Sequence, residues 1–163
     1  MSEHELLDRA PDDRVQVLDE SGELVGDPPA LTDAELVDLY RWMRLARHFD
    51  ERAVNLQRQG RMGTYPPLAG QEAAQVGSAA ALADADWIVP SYREHAAVHV
   101  HGLSLADILL YWMGHGAGGW GADANVFPAA VPIATQIPHT TGLAMASKLR
   151  GDGAVAVAYF GDG

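Results

Sequence analysis

Apolar positions along this chain change period several times, and each change marks an element. Leu36, Leu39, Tyr40, Met43, Ala46, Phe49, Ala53 and Leu56 recur at three- and four-residue spacing, which predicts a long amphipathic helix with these residues on one face. Thr32 with Glu35 forms a capping box at its start, and Gly60 provides its stop. Residues 71–83 predict a second helix made largely of Ala, Gly and Ser, low in bulk and suited to close packing. Trp87-Ile88-Val89-Pro90 reads as a short buried strand, and Ser91 with Glu94 forms a second capping box directly after it. Ser104 with Asp107 opens a further helix through Leu109 and Trp112, followed by a glycine-rich loop over residues 114–124. The turn Val131-Pro132-Ile133-Ala134-Thr135-Gln136 leads into a last helix that stops at Gly151. Ala154 to Phe160 carries no charge and predicts a fully buried strand of a parallel sheet.

Helices alternating with short apolar strands indicate an α/β fold, a parallel sheet flanked by helices, over residues 31–163. Residues 1–30 read instead as an arm rich in Asp, Glu and Pro. Within it, residues 15–18 and 23–25 flank Asp19-Glu20-Ser21-Gly22 as a short hairpin, and Asp27-Pro28-Pro29 forms a stiff spacer. A parallel sheet needs more strands than these, so the chain is expected to be the front portion of a larger fold, truncated after its last strand. Alone, it is expected to expose a sheet edge and to aggregate or partly unfold.

Composition narrows the function. The net charge is −11, Lys148 is the only lysine, and no basic stripe invites nucleic acid. An acidic, lysine-poor chain of this kind resembles proteins of salt-loving organisms, or simply reflects a GC-rich genome. There is no cysteine, hence no disulfide framework and no thiol chemistry. No apolar stretch is long enough to cross a bilayer and no leader pattern precedes the first element, so a soluble, cytoplasmic protein is expected.

Candidate chemistry gathers at strand ends. Asp162 between Gly161 and Gly163 follows the last strand, where α/β sheets bind ligands; an Asp there can hold a metal, and the glycines let backbone N–H groups approach a phosphate. Residues 91–95 lie where a strand turns into a helix start, and Arg93 adds a guanidinium able to take phosphate bidentately. His95, His99 and His101 invite a metal, but core or loop roles are preferred because no carboxylate completes a set. Arg41, Arg44, Arg47, Arg52 and Arg58 are read as mostly pairing with nearby acids on the solvated side of the first helix, in preference to binding an anionic ligand.

Five blocks in order and register then carry a resemblance: Arg58-Gln59-Gly60-Arg61-Met62-Gly63, Gly70-Gln71-Glu72-Ala73, Ser91-Tyr92-Arg93-Glu94-His95, Pro132-Ile133-Ala134-Thr135-Gln136-Ile137-Pro138-His139 and Tyr159-Phe160-Gly161-Asp162-Gly163. From about Leu31 to Gly163 the chain resembles the α subunits of thiamine-diphosphate-dependent 2-oxo acid dehydrogenases, the decarboxylating component of the pyruvate and branched-chain complexes. The resemblance implies a thiamine-diphosphate-binding fold and oxidative decarboxylation of a small 2-oxo acid. The acyl group would pass to a lipoyl group on an acyltransferase component, and a β subunit would complete a heterotetramer. It also implies that Tyr92 and Arg93 hold the diphosphate, that Asp162 ligates magnesium, that Gly163 makes the adjoining diphosphate contact, and that Val131 and Ile133 touch the aminopyrimidine. In branched-chain members the same turn wraps potassium, which makes Ala130, Pro132, Thr135 and Gln136 candidate ligands, Ala130 through its carbonyl alone.

Pattern and sequence part company beyond Gly163. The family's diphosphate motif closes with an Asn pair further on, and its α-subunit active-site histidine also lies later, so no catalytic residue is assigned within this chain. The activating glutamate belongs to the β subunit in this family, and this stretch by itself is expected to be inactive. Two alternatives remain: an acetoin-cleaving relative with the same fold and cofactor, or a non-catalytic truncated chain that only binds a β-like partner.

Overall fold

A computed structural model describes residues 16–116 and 124–161. The chain divides into two units, residues 1–35 and residues 36–163. In the first, the expected hairpin is present. Leu18 bridges Leu24 in antiparallel sense, Gly22 takes φ +84°, and the Asp19 carboxylate accepts from the N–H groups of Ser21 and Glu23, both at 2.9 Å. A turn bonded from within in this way needs no core beneath it.

Helix α1 spans Asp33–Arg58. Its start is a complete capping box: Thr32 N donates to Glu35 Oε2 at 2.7 Å, and Glu35 N donates to Thr32 Oγ1 at 3.3 Å. Gly60 follows at φ +72°, a left-handed conformation that ends a helix cheaply only at glycine. The apolar face extends further than its cover. Ala46, Phe49 and Ala53 are buried, whereas Leu36 and Tyr40 at the other end of the stripe are exposed. Of the five arginines, Arg41 pairs with Asp38 at 2.9 Å on the surface, and Arg47 reaches Glu72 at 2.5 Å. Arg44, Arg52 and Arg58 form no ion pair among the described residues, which corrects the expectation for the set.

Helix α2 spans Glu72–Ala80 and packs on α3, His95–Val100. Its small residues permit the close approach, and Gln75 fixes it: Nε2 donates to the Arg93 carbonyl at 3.1 Å and Oε1 accepts from Ala96 N at 3.0 Å. Helix α4, Leu105–Trp112, begins at Ser104, whose hydroxyl accepts from Asp107 N at 3.1 Å as the capping pattern predicts. Helix α5, Gln136–Arg150, ends at Gly151 with φ +72°. The middle of the 114–124 loop lies outside the described residues.

Strands β1, Trp87–Val89, and β2, Ala156–Ala158, pair in parallel with Ile88 opposite Val157, so the α/β expectation holds. On its other side β1 is bridged by Val126, again in parallel. Asp86 sets the register: its carboxylate accepts from Val155 N at 2.7 Å and Ala83 N at 2.8 Å, and these bonds hold its pKa below the ordinary value. The last strand is shorter and less covered than its composition suggests. All three residues of β2 are half-buried, and Val155 and Phe160 are 52% and 57% exposed. An uncharged run licenses burial but does not supply the neighbour that would bury it.

Candidate functional site

A cleft of about 340 Å³ opens where the C-terminal ends of β1 and β2 meet the start of α2. Tyr92, Arg93 and Glu94 line it from the β1–α3 turn, Gln71 and Gln75 from α2, and Tyr159 to Gly161 from the end of β2. Such a crevice, beyond the carboxyl ends of parallel strands, is where this class of sheet binds ligands. Ile133 joins the lining from the turn before α5. The structure thus brings Tyr92, Arg93 and Ile133 together. Asp162 and Gly163 lie outside the described residues, although Gly161, next to them in the chain, is at the cleft wall.

The Ser91–Glu94 pattern folds differently from a full capping box. Glu94 Oε2 accepts from Ser91 N at 2.9 Å and Arg93 N at 3.2 Å, and α3 begins only at His95, without a side-chain cap. A carboxylate therefore already occupies two N–H groups of this turn, those of Ser91 and Arg93. What the turn offers an anion is the Arg93 side chain. Its Nη1 donates to the Pro67 carbonyl at 2.5 Å, and the guanidinium sits 5.4 Å from the centre of the Tyr92 ring. Held by a neutral oxygen and an aromatic face, and in no ion pair among the described residues, it keeps its charge for the cleft.

Val131 faces elsewhere. It lines a separate, mostly apolar cavity of about 240 Å³ with Thr64, Pro66, Tyr92 and Trp112. Tyr92 lines both hollows. The turn leading to α5 is strained, with Ala134 at φ +69°, a conformation rare outside glycine and often found at functional positions. Ala130 N donates to the Ser91 carbonyl at 2.9 Å, which ties this turn to the β1 end. Gln136 is buried; its Nε2 donates to the Ala130 carbonyl at 2.7 Å, while its buried Oε1 has no partner among the described residues. Thr135 O accepts from the His139 ring at 2.8 Å, and Pro132 O from Thr135 N at 3.3 Å.

The three histidines of residues 95–101 do not converge. His95 Nε2 contacts the Pro66 carbonyl at 3.2 Å, His99 Nδ1 the Leu103 carbonyl at 2.7 Å, and His101 Nε2 the Asp86 carbonyl at 2.8 Å. Among the described residues no group of three His, Asp or Glu side chains is placed to hold a metal ion. His95 is enclosed by Phe49, Tyr65 and Trp112, and burial pushes its pKa down to about 4, so its imidazole is neutral.

Sequence reasoning missed Gln75, Glu94 and Tyr159 as cleft residues. Tyr159 Oη lies 2.7 Å from Ser78 Oγ, and burial raises its pKa above that of a free phenol. Glu94 lay within the 91–95 stretch and Tyr159 within the last of the five blocks, but neither was given a role, and nothing in the sequence singled out Gln75.

A family model described as dehydrogenase E1 component matches residues 40–163. The chain belongs to the dehydrogenase E1 component family. Among its curated relatives are proteins named pyruvate dehydrogenase E1 component subunit alpha from Staphylococcus aureus (strain MRSA252) and Staphylococcus epidermidis (strain ATCC 12228 / FDA PCI 1200). Each is 43% identical over 152 residues, covering 91% of this chain and 41% of the relative. The chain thus spans about two-fifths of the length of those E1 subunits. The likeness drawn from five sequence blocks is borne out at the level of the E1 family. No helix among the described residues of this E1 chain is long and apolar enough to cross a membrane.

Proposed function

We propose that this chain carries the diphosphate-binding half-site of a 2-oxo acid dehydrogenase α subunit of the pyruvate type, and that its ligand is thiamine diphosphate with magnesium. The single observation that carries this reading is Arg93, a guanidinium fixed at the cleft wall by a carbonyl and without a carboxylate partner among the described residues. Arg93 would bind one phosphate through its free N–H groups, and Tyr92 would close the side of the cleft next to the second cavity. Asp162 would ligate magnesium and the Gly163 backbone would meet the diphosphate. Ile133 would contact the aminopyrimidine, with Val131 reaching it from the neighbouring cavity. When bound, the cofactor supplies the electron sink for decarboxylation; the protein supplies position, charge and exclusion of water. The pyruvate type is preferred to the branched-chain type and to acetoin cleavage because the relatives above bear that name. A β subunit, a lipoyl acyltransferase component and a cytoplasmic setting belong to the same reading.

The 130–136 turn suits a potassium ion in one respect. Gln136 Oε1 is a buried acceptor with no donor among the described residues, and a monovalent cation among the carbonyls of Ala130, Pro132 and Thr135 would satisfy it.

The test uses the full-length protein with its β subunit, magnesium and thiamine diphosphate, assayed on pyruvate, branched-chain 2-oxo acids and acetoin. Turnover of pyruvate, abolished by Arg93→Ala at fixed cofactor and restored in part by excess cofactor, is expected. Turnover of none of these substrates would overturn the reading.

A further inference from the structure

The irregular segment before α2 is held at four consecutive residues by partners from three places. Tyr65 Oη donates to Asp50 Oδ1 at 2.9 Å, and Leu68 N donates to the same oxygen at 2.7 Å. Between them the Pro66 carbonyl contacts His95 Nε2 at 3.2 Å and the Pro67 carbonyl accepts from Arg93 Nη1 at 2.5 Å. Two successive prolines fix φ and bring no N–H of their own, so this stretch serves to present carbonyl oxygens. Asp50 is 3% exposed on the buried face of α1, and Tyr65 and Leu68 are buried beside it. A second acid closes the segment: Glu72 accepts from Gly70 N at 2.9 Å and pairs with Arg47, one turn before Asp50 on α1.

A buried carboxylate is costly unless it serves several donors. Here both donors belong to the one segment whose carbonyl fixes the cleft arginine. We propose that Asp50 is a positioning residue for Arg93, acting through the 65–68 segment: by anchoring Tyr65 and Leu68 it holds the Pro67 carbonyl where that oxygen aims the guanidinium into the cleft. Asp50 does not line the cleft; it acts at one remove. The inference rests on the reading of Arg93 as the group that takes the anion.

The test is a double-mutant cycle on the full-length protein in its native assembly, read as the equilibrium affinity for inorganic diphosphate with magnesium by titration calorimetry. Measurements are made at a temperature where every variant is folded. Arg93→Ala is expected to weaken binding about 100-fold and Asp50→Asn about 10-fold. The double variant should bind no more weakly than Arg93→Ala alone, because Asp50 has nothing to position once the guanidinium is gone. A general loosening of the fold would instead make the two losses multiply, and that result, or an unchanged affinity in Asp50→Asn, overturns the inference. An unchanged affinity in Arg93→Ala overturns the reading of the cleft itself, so the two failures are distinguishable. Should Asp50→Asn not fold, Tyr65→Phe replaces it in the same cycle. It removes one donor to Asp50 and keeps the ring on His95; a loss of about threefold that vanishes in the Arg93→Ala background is expected, and no loss overturns the proposal.

Discussion

Residues 61–71 form no helix or strand, yet Met62, Tyr65 and Leu68 are buried among them and four consecutive residues are bonded from outside the segment. Helix α5 is regular over fifteen residues, yet Met145 and Leu149 are 62% and 77% exposed and Gln136 and Ser147 are its buried positions. Regularity and burial are therefore separate properties. A helix satisfies its own backbone and can stand with apolar side chains uncovered, whereas a loop must obtain partners from other elements before it can be buried. That necessity is why two acids, Asp50 and Glu72, converge on 65–70, and why this segment is firm enough to orient a cleft residue.

Matched substitutions sharpen the contrast. Leu68→Ala removes a fully buried side chain and should cost about 3 kcal/mol of unfolding free energy by denaturant titration. A loss below about 1 kcal/mol would mean that the loop is not packed as described. Acid should act on the same region. Burial holds the His95 pKa near 4 when folded, against 6.5 for a free imidazole. Its contribution is therefore fully present above pH 6.5 and is lost as pH falls from 6.5 towards 4, because the unfolded chain binds the extra proton. The full loss is about 3 kcal/mol. Comparing unfolding free energies at pH 7 and pH 4.5, His95→Gln should show a shallower pH dependence than the parent; equal slopes would place a charged or exposed imidazole there.

Smaller effects probe the second anchor and the bare helix. Glu72→Gln keeps an acceptor for Gly70 but removes the charge facing Arg47, and should cost about 1 kcal/mol, since that arginine is partly solvated. Leu149→Ala, the same chemical change as at Leu68, should alter stability by less than about 0.5 kcal/mol. A loss at Leu149 matching that at Leu68 would erase the distinction between the two regions.

Much of the local structure could be read from residue order, because its causes lie within three or four residues. Thr32 with Glu35 and Ser104 with Asp107 cap helices as their spacing predicts, and Gly60 and Gly151 end helices at positive φ. A parallel sheet also followed, since helices between short apolar strands leave few alternatives, whereas the pairing of β1 with β2 came only from the structure. Ser91 with Glu94 has the same spelling but keeps only the carboxylate's half of the box, because the helix begins later, at His95, and Ser91 is not its cap.

Residue order alone settled element type, the turns and membership in the E1 family, each carried by short-range patterns or by blocks of fixed wording. Tertiary structure decided which apolar stripes are covered: a stripe records which face is apolar, not whether anything lies upon it, and so Leu36, Tyr40 and β2 are less buried than their composition suggests. It alone also joined Asp50 to Leu68, Arg93 to Pro67 and Ser78 to Tyr159, across 18, 26 and 81 positions of chain. Hydrogen bonds over such separations leave no period in a sequence, because the chain between their ends is free to vary while the contact stays fixed.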